Sequence, residues 1–363
     1  MQTIINIIVF ILILGSIIVI HEFGHFLAAK HFGVYCSQFS IGFGPKIYSK
    51  QGEETEFELR ALPIGGFVSM AGEADQEEVE EMKDLPIERT LKGKKTYQKV
   101  IIFSAGVIMN FILAIVVLFA SNVIGGEVVL EQATVGSVSE GSAAEIYGLQ
   151  EDDEIEELYV VESDKTIAIT TYESFSEALT KDNLGVSDDD IDIVLTVMRD
   201  GEEEAIDMII SFNEETDKYY FGISFKTRSM TMIECVTYTI EDFGEMSTAI
   251  IEALAGLIVN FASTVTQLSG PAGIYQVTAE VTSTGSIAYI LRLLGLLSVN
   301  IGIFNLMPIP GLDGAQILFA LVERVIGREI PINLKLVLQM VGLGLVLLLM
   351  VFVTYQDILR IIG

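Results

Sequence analysis

The first hydrophobic segment of the chain ends in a cluster of polar residues, and residues 3–25 read TIINIIVFILILGSIIVIHEFGH. A helix needs about 20 residues to cross a hydrocarbon core of about 30 Å, and this run is long enough. No Lys or Arg precedes the apolar run and no small-residue cleavage pattern follows it, so we expect a retained membrane helix rather than a cleaved leader. Ionisable side chains are costly at the end of such a helix without partners, which makes the terminal cluster a candidate functional site.

Further apolar stretches indicate a protein with several membrane spans. The mean hydropathy of +0.52 is too high for an ordinary soluble enzyme. We place four spans near 3–24, 100–124, 288–311 and 337–355. The stretch 247–262 is short and carries Glu252 and Asn260, which favours an interfacial helix. If it crossed the bilayer, Asp313 would lie on the opposite side from His25.

The distribution of charge predicts the topology. Residues 30–99 hold ten of the 21 basic residues, so the positive-inside rule makes this loop cytoplasmic. Residues 127–242 contain 30 acidic and six basic residues, a net charge of −24 within a total of −29, and we expect them on the other side of the membrane. This acidity disfavours nucleic acid as a partner and favours a solvated surface over an acidic binding site. Cys36 and Cys235 then lie on opposite sides and predict neither a disulfide nor a thiolate metal site.

The loop after the first span and the acidic region differ in their patterns. Residues 39–45 and 56–70 alternate and are punctuated by glycine, which predicts a β-hairpin at the membrane interface. Residues 127–228 combine β-rich runs such as 191–198 with a predicted helix at 172–180, which indicates one α+β domain of ordinary size.

The predicted fold class is therefore a polytopic α-helical membrane protein with about four transmembrane helices, a membrane-associated β-hairpin loop and one inserted extracytoplasmic α+β domain. We expect an N-terminal membrane core at 1–126, the inserted domain at 127–228 and a C-terminal membrane core at 229–363.

The His-Glu-x-x-His pattern at residues 21–25 points to metal chemistry. Positions four apart share one face of a helix, so His21 and His25 can direct ring nitrogens at one ion. Glu22 then lies beside the metal, where it can take a proton from the attacking water and deliver it to the leaving amine. The alternative is a pair of histidines that are hydrogen-bonded within a helix bundle.

A catalytic zinc takes three protein ligands and keeps one open position, so a third ligand is needed. The candidate is Asp313 in the segment NLMPIPGLDG at 305–314, where prolines and glycines break an apolar span and indicate a polar cavity. The alternative role for Asp313 is an interfacial helix cap. Asn305 is a candidate donor to a substrate carbonyl, with helix packing as the alternative. Ligands of this kind also bind other divalent ions.

Together these motifs resemble the site-2 protease family of intramembrane zinc metalloproteases, in particular its bacterial members of the regulator of sigma-E protease type. The resemblance runs through the whole chain in order. Its motifs are HEFGH at 21–25, SIGFGP at 40–45, PIGGF at 63–67, SGPAG at 269–273 and the segment 305–314.

The resemblance implies roles for individual residues. It implies that His21, His25 and Asp313 bind Zn²⁺ and that Glu22 is the catalytic acid and base. It further implies that Asn305 faces the substrate, and that the hairpin at Gly65, Gly66 and Phe67 presents a strand edge to an unwound substrate.

The resemblance also implies that the inserted domain is PDZ-like. The run GSAA at 141–144 followed by Gly148 and Leu149 matches the helix-turn region of bacterial PDZ domains. Glu151 and Asp152 stand where Pro-Gly is common, and nearby acids oppose capture of a C-terminal carboxylate. We therefore favour a size filter over a peptide receptor.

The function implied is regulated intramembrane proteolysis in a bacterial cytoplasmic membrane. Expected substrates are single-pass membrane proteins, such as an anti-sigma factor already trimmed by a site-1 protease or a remnant signal peptide. The active site is expected near the cytoplasmic side of the lipid bilayer. Two alternatives are a catalytically silent scaffold and a metal-dependent transporter or sensor; an intact Glu22 disfavours the first, and the small number of spans disfavours the second.

Overall fold

The computed structural model describes residues 2–73, 85–187, 189–214, 216–260, 265 and 269–362. It contains two compact units, one formed by Met1–Ile124 with Met232–Gly363 and the other by Gly125–Thr231. The helices are α1 (Gln2–His31), α2 (Thr96–Gly125), α3 (Ala143–Ile146), α4 (Tyr172–Ala178), α5 (Lys181–Leu184), α6 (Met232–Val259), α7 (Pro271–Ser283), α8 (Ile287–Leu306), α9 (Asp313–Ile326) and α10 (Ile332–Ile362). The strands are β1 (Cys36–Gln51), β2 (Glu56–Met70), β3 (Glu127–Val129), β4 (Val135–Val138), β5 (Glu154–Val160), β6 (Lys165–Ala168), β7 (Asp190–Arg199), β8 (Glu202–Asn213), β9 (Lys218–Tyr220), β10 (Ile223–Phe225) and β11 (Thr227–Ser229).

Four helices of the first unit, α1, α2, α8 and α10, are long and apolar enough to cross a membrane, which confirms the four predicted spans. The 30 residues of α1 extend about 45 Å, more than the hydrocarbon core requires. Large apolar side chains stay exposed along them, including Leu12 at 62% and Leu348 at 69%. Such surfaces suit contact with lipid rather than water.

Helix α6 is not among the spanning helices of the described residues. It begins 15 residues before the predicted interfacial segment 247–262, of which residues 261 and 262 lie outside the described part of the chain. On α8, Arg292 pairs through both terminal nitrogens with Asp242 of α6 at 3.0 and 2.5 Å. The pair gives the charged residue within the apolar helix a partner and joins the two helices.

The hairpin β1–β2 is longer and more irregular than the short strands predicted. Both strands bend, so that residues 38–41 pair with 56–59 on one side and with 66–69 on the other. The bends occur at glycines, and Gly42 at φ 89° leaves no room for a side chain because a Cβ would lie 2.5 Å from the Leu62 carbonyl oxygen. The base of the hairpin packs on α1 and α2 through a buried apolar cluster that includes Phe39, Val68 and Phe103.

The second unit is β-rich. Its main sheet has five antiparallel strands in the order β6-β5-β7-β8-β9, and β4 pairs with β10 and β3 with β11. The β7–β8 turn is Asp200-Gly201, where both residues adopt positive φ as a two-residue hairpin requires. Buried Asp153 accepts two hydrogen bonds from Arg199 at 2.7 and 2.6 Å, so one acid of this unit is neutralised internally.

Candidate metal centre and active site

Three side chains at the end of α1 and the start of α9 meet in a small triangle. The Nε2 atoms of His21 and His25 lie 3.2 Å apart. Asp313 Oδ2 lies 3.0 Å from His21 Nε2 and 3.2 Å from His25 Nε2. Both histidines are buried, at 8% and 5% exposure. The three residues are also the one group of His, Cys, Asp or Glu with metal-binding spacing in the described residues.

The donor set fits zinc. Zinc binds imidazole nitrogen and carboxylate oxygen at about 2.0–2.1 Å, so neighbouring ligands of a tetrahedral ion lie about 3.3 Å apart. The observed edges of the triangle match this spacing. Asp313 Oδ2 is buried and makes no conventional hydrogen bond to the described residues, although both imidazoles lie beside it. An oxygen placed in this way is suited to a cation.

Helix α2 packs directly against the two imidazole rings. The carbonyl oxygen of Ile102 lies 2.8 Å from His25 Nδ1. One turn later, a Cβ on Gly106 would lie 2.4 Å from His25 Nε2 and 2.8 Å from His21 Cε1, so only glycine leaves room for both rings. Another turn on, the Asn110 side chain lies 3.2 Å from His21 Nδ1.

A break between α8 and α9 positions Asp313. Helix α8 ends at Leu306, ahead of Pro308 and Pro310, and Asp313 is the first residue of α9. The adjacent Gly314 lies against the end of α8, because a Cβ there would approach the carbonyl oxygens of Leu306 and Met307 to 2.2 and 2.3 Å. This close contact holds the carboxylate at the level of the two imidazoles.

Glu22 lies between the metal-binding triangle and the hairpin. Its side chain interacts electrostatically with all three triangle residues and accepts a hydrogen bond from the backbone of Val68. A Cβ on Gly66 would lie 3.2 Å from Glu22 Cγ, so the strand passes directly over this side chain. Beside them is a cavity of about 260 Å³. It is lined by Glu22, His25, Phe67, Val68, Met70, Glu73, Phe103 and Asp313.

The structure brings most of the predicted site residues together. His21, Glu22, His25, Asp313, Gly66 and Phe67 surround one small region. Half-buried Asn305, in the last turn of α8, does not line the cavity in the described structure. Gly65 lies beside the Phe43 ring rather than beside the triangle, and its φ of 110° requires glycine.

Sequence reasoning missed the contribution of α2. Ile102, Gly106 and Asn110 each face the histidines, and a glycine and an asparagine four residues apart in an apolar helix were the available signal. That spacing places both on one helix face.

Comparison with known proteins agrees with this geometry. Residues 9–349 match the model of peptidase family M50. A homologue from Fusobacterium nucleatum, whose name places it among the zinc metalloproteases, is 33% identical over 97% of this chain and 98% of its own length. The regulator of sigma-W protease RasP of Bacillus subtilis is 29% identical over 98% of this chain and 99% of its own, and zinc metalloprotease RasP of Bacillus licheniformis shows the same identity and coverage. With four membrane-spanning helices and a zinc-compatible centre, the chain belongs to peptidase family M50, the site-2 protease family of membrane zinc metalloendopeptidases.

Proposed function

We propose that this enzyme hydrolyses peptide bonds within or near the transmembrane segments of single-pass membrane proteins. His21, His25 and Asp313 are the zinc ligands, and Glu22 is the catalytic acid and base. The observation that carries the proposal is the triangle of ligand atoms with edges of 3.0–3.2 Å at the end of a membrane helix, with Glu22 beside it.

The bound zinc would act as a Lewis acid that polarises the scissile carbonyl and acidifies water. Glu22 holds the water in position, accepts its proton and passes that proton to the leaving amine nitrogen. The Val68 amide fixes the Glu22 carboxylate for this transfer. A second cavity of about 360 Å³ shares the lining residues Glu73 and Phe103 with the first, and we assign it to the entry of water.

The hairpin supplies the substrate-binding edge. A transmembrane helix hides its amides in internal hydrogen bonds, so cleavage requires an extended segment. Residues 66–69 pair with 38–41, and this strand passes over Glu22 at Gly66, where a Cβ would lie 3.2 Å from Glu22 Cγ. An unwound substrate added as a strand there would pass next to the catalytic residue, beside Gly66 and Phe67. Asn305 is assigned to the substrate's carbonyl oxygen, and Gly65 to the bend that shapes this edge.

The acidic unit acts as a filter. We assign residues 127–228 as a PDZ-like domain outside the bacterial cytoplasmic membrane, between membrane cores at 1–126 and 229–363, with the active site near the cytoplasmic face. Its net charge opposes capture of a carboxylate, which supports exclusion of untrimmed substrates rather than recognition of a new C-terminus. Substrates would therefore arrive already shortened by a site-1 protease.

A reporter assay tests the chemistry. The purified full-length chain in detergent should cleave a single-pass reporter with a short external segment, and both Glu22→Gln and zinc chelation should abolish cleavage. Glu22→Gln should still bind zinc, because the ligands are untouched. Normal cleavage by Glu22→Gln would refute the mechanism.

A labelling experiment tests the topology independently. A single cysteine introduced at Gln150 should react with an impermeant thiol reagent that is added outside the cell. A single cysteine introduced at Thr90 should react only when the reagent is on the cytoplasmic side. The reverse pattern would contradict the placement of the site.

A further inference from the structure

Three positions of α2, each one turn apart, face the His21–His25 pair. Ile102 and Asn110 are separated by two turns, and Gly106 between them makes room for the rings. His25 and His21 therefore each meet one polar group of α2 through Nδ1, the nitrogen that points away from the triangle. The two polar groups differ in kind, since one is a backbone carbonyl and the other is a side-chain amide.

For His25 the hydrogen-bond roles are determined. The Ile102 carbonyl oxygen can only accept, so Nδ1 of neutral His25 carries the proton. The lone pair is then on Nε2, which faces the triangle. This is the tautomer that a metal ligand needs.

For His21 the present contact gives the opposite tautomer. The atom of Asn110 that lies 3.2 Å from Nδ1 is the amide nitrogen, which only donates. Nδ1 must then supply the lone pair, and Nε2 carries the proton and donates it toward His25 Nε2 at 3.2 Å. The Asn110 oxygen Oδ1 meanwhile is buried with no hydrogen-bond partner among the described residues. A buried unpaired amide oxygen costs about 1–3 kcal/mol.

One half-turn of the amide frees Nε2 of His21 for the metal and gives the orphan oxygen a donor. A carboxamide has nearly the same shape after its oxygen and nitrogen exchange places. With Oδ1 toward His21, the orphan oxygen accepts a hydrogen bond from Nδ1, and Nε2 gains the lone pair. The Asn110 backbone stays in place, because its carbonyl oxygen accepts a separate hydrogen bond of 2.8 Å from Ser298 Oγ.

We infer that Asn110 is a positioning residue for zinc binding: in the zinc-loaded enzyme its Oδ1 accepts the Nδ1 proton of His21 and holds the ring in the ligating tautomer. The inference rests on the proposed role of His21 as a ligand. It makes Asn110 the counterpart of the Ile102 carbonyl, so each zinc-binding imidazole is oriented by one acceptor on the same face of α2. Asn110 is fully buried, so water cannot take over this task.

Zinc affinity, measured on the purified full-length chain in detergent by competition with a chromophoric chelator, tests the inference. Asn110→Leu removes the acceptor and should weaken zinc binding about 10- to 100-fold. Asn110→Asp offers only acceptor oxygens and should bind zinc at least as tightly as the parent chain. Ser298→Ala is the matched control, because it removes a hydrogen bond to Asn110 without touching the side-chain contact, and it should leave zinc affinity unchanged.

If the amide nitrogen were the working partner of His21, Nδ1 would accept and Nε2 would keep its proton, so Asn110→Leu would remove an obstacle to zinc binding and would not weaken it. Parental or higher zinc affinity in a folded Asn110→Leu therefore overturns the inference. Where the leucine variant fails to fold, Asn110→Asp still tests it, because a carboxylate that accepts the Nδ1 proton should keep or raise zinc affinity, and weaker binding overturns the inference. Zinc binding by His21→Ala separates a failure of this inference from a failure of the proposed function. If His21→Ala retains zinc, the proposed ligand set is refuted. If His21→Ala loses zinc and Asn110→Asp binds zinc more weakly than the parent chain, only the role of Asn110 is refuted.

Discussion

Gly106→Ala should abolish zinc binding although it adds a single methyl group to α2. The new Cβ would lie 2.4 Å from His25 Nε2 and 2.9 Å from His21 Nε2. Such atoms are in ordinary van der Waals contact at about 3.5 Å, so removing this overlap requires the ring or the helix to move by about 1 Å. Metal–ligand distances tolerate about 0.2 Å, and the required displacement is several times larger.

Neither the rings nor the helix can move without loss. Displacing His25 changes the triangle itself. Moving α2 outward by the same distance would stretch the 2.8 Å contact between the Ile102 carbonyl and His25 Nδ1 beyond hydrogen-bonding range. We therefore expect zinc affinity to fall by more than about 100-fold, since loss of an outer hydrogen bond alone costs 10- to 100-fold.

The assay is zinc content per purified chain after dialysis against buffered zinc, together with cleavage of the reporter. Gly15→Ala is the control, because it makes the same change in α1 at a position with no atom within 4 Å of the new Cβ. It should keep full zinc content and activity. A Gly106→Ala chain that holds one zinc with parental affinity would refute the packing of α2 against the two imidazoles.

Three other substitutions or treatments probe separate parts of the molecule. Asp313→Ala should lose zinc, and full retention in a metal analysis would remove this residue from the ligand set. Asp357 is 2% exposed and accepts hydrogen bonds from the backbone N–H groups of Gly270 and Gly273 at 2.9 and 2.8 Å. Asp357→Ala should therefore lower the free energy of unfolding by about 2–4 kcal/mol. An unchanged thermal midpoint in detergent would contradict this. Burial raises the pKa of the Cys36 thiol to about 12, so a thiol reagent at pH 8 should modify it only after denaturation. Fast labelling of the native chain would refute the burial of Cys36. The unfolded thiol ionises at about pH 8.5, whereas the buried thiol stays protonated, so Cys36 should make the free energy of unfolding fall as the pH rises from 8.5 toward 12.

The membrane helices could be predicted because an apolar run long enough to span a bilayer is a local property. Their ends were less predictable. Helix α1 continues to His31, past the predicted end at residue 24, and so keeps both histidines on one helical face. The third span stops at Leu306 rather than 311, because Pro308 and Pro310 cannot donate the hydrogen bonds that a continuing helix requires.

The part of the candidate site that depends on the spacing of residues along the chain could be predicted from the sequence. The four-residue interval of His21 and His25 is local, and the need for a third ligand led to Asp313. Nothing in the sequence relates residue 21 to residue 110, because that contact depends on how two apolar helices pack. The sequence also did not predict that residues 38–41 of β1 pair on both sides with segments of β2. Alternation of apolar and polar residues predicts strands, but it does not predict the bends that bring two segments of β2 to opposite sides of β1.

The division of the triangle between the first and ninth helices has a consequence for biosynthesis. The ribosome must add 288 residues after His25 before Asp313 exists, which takes about 15–60 s at ordinary elongation rates. Throughout that interval the nascent chain carries Glu22 and both imidazoles in the membrane but has no complete centre. With the proposed ligand set, the newly made chain would therefore be inert toward its own later hydrophobic segments while they enter the bilayer, and it would become active only as α9 docks.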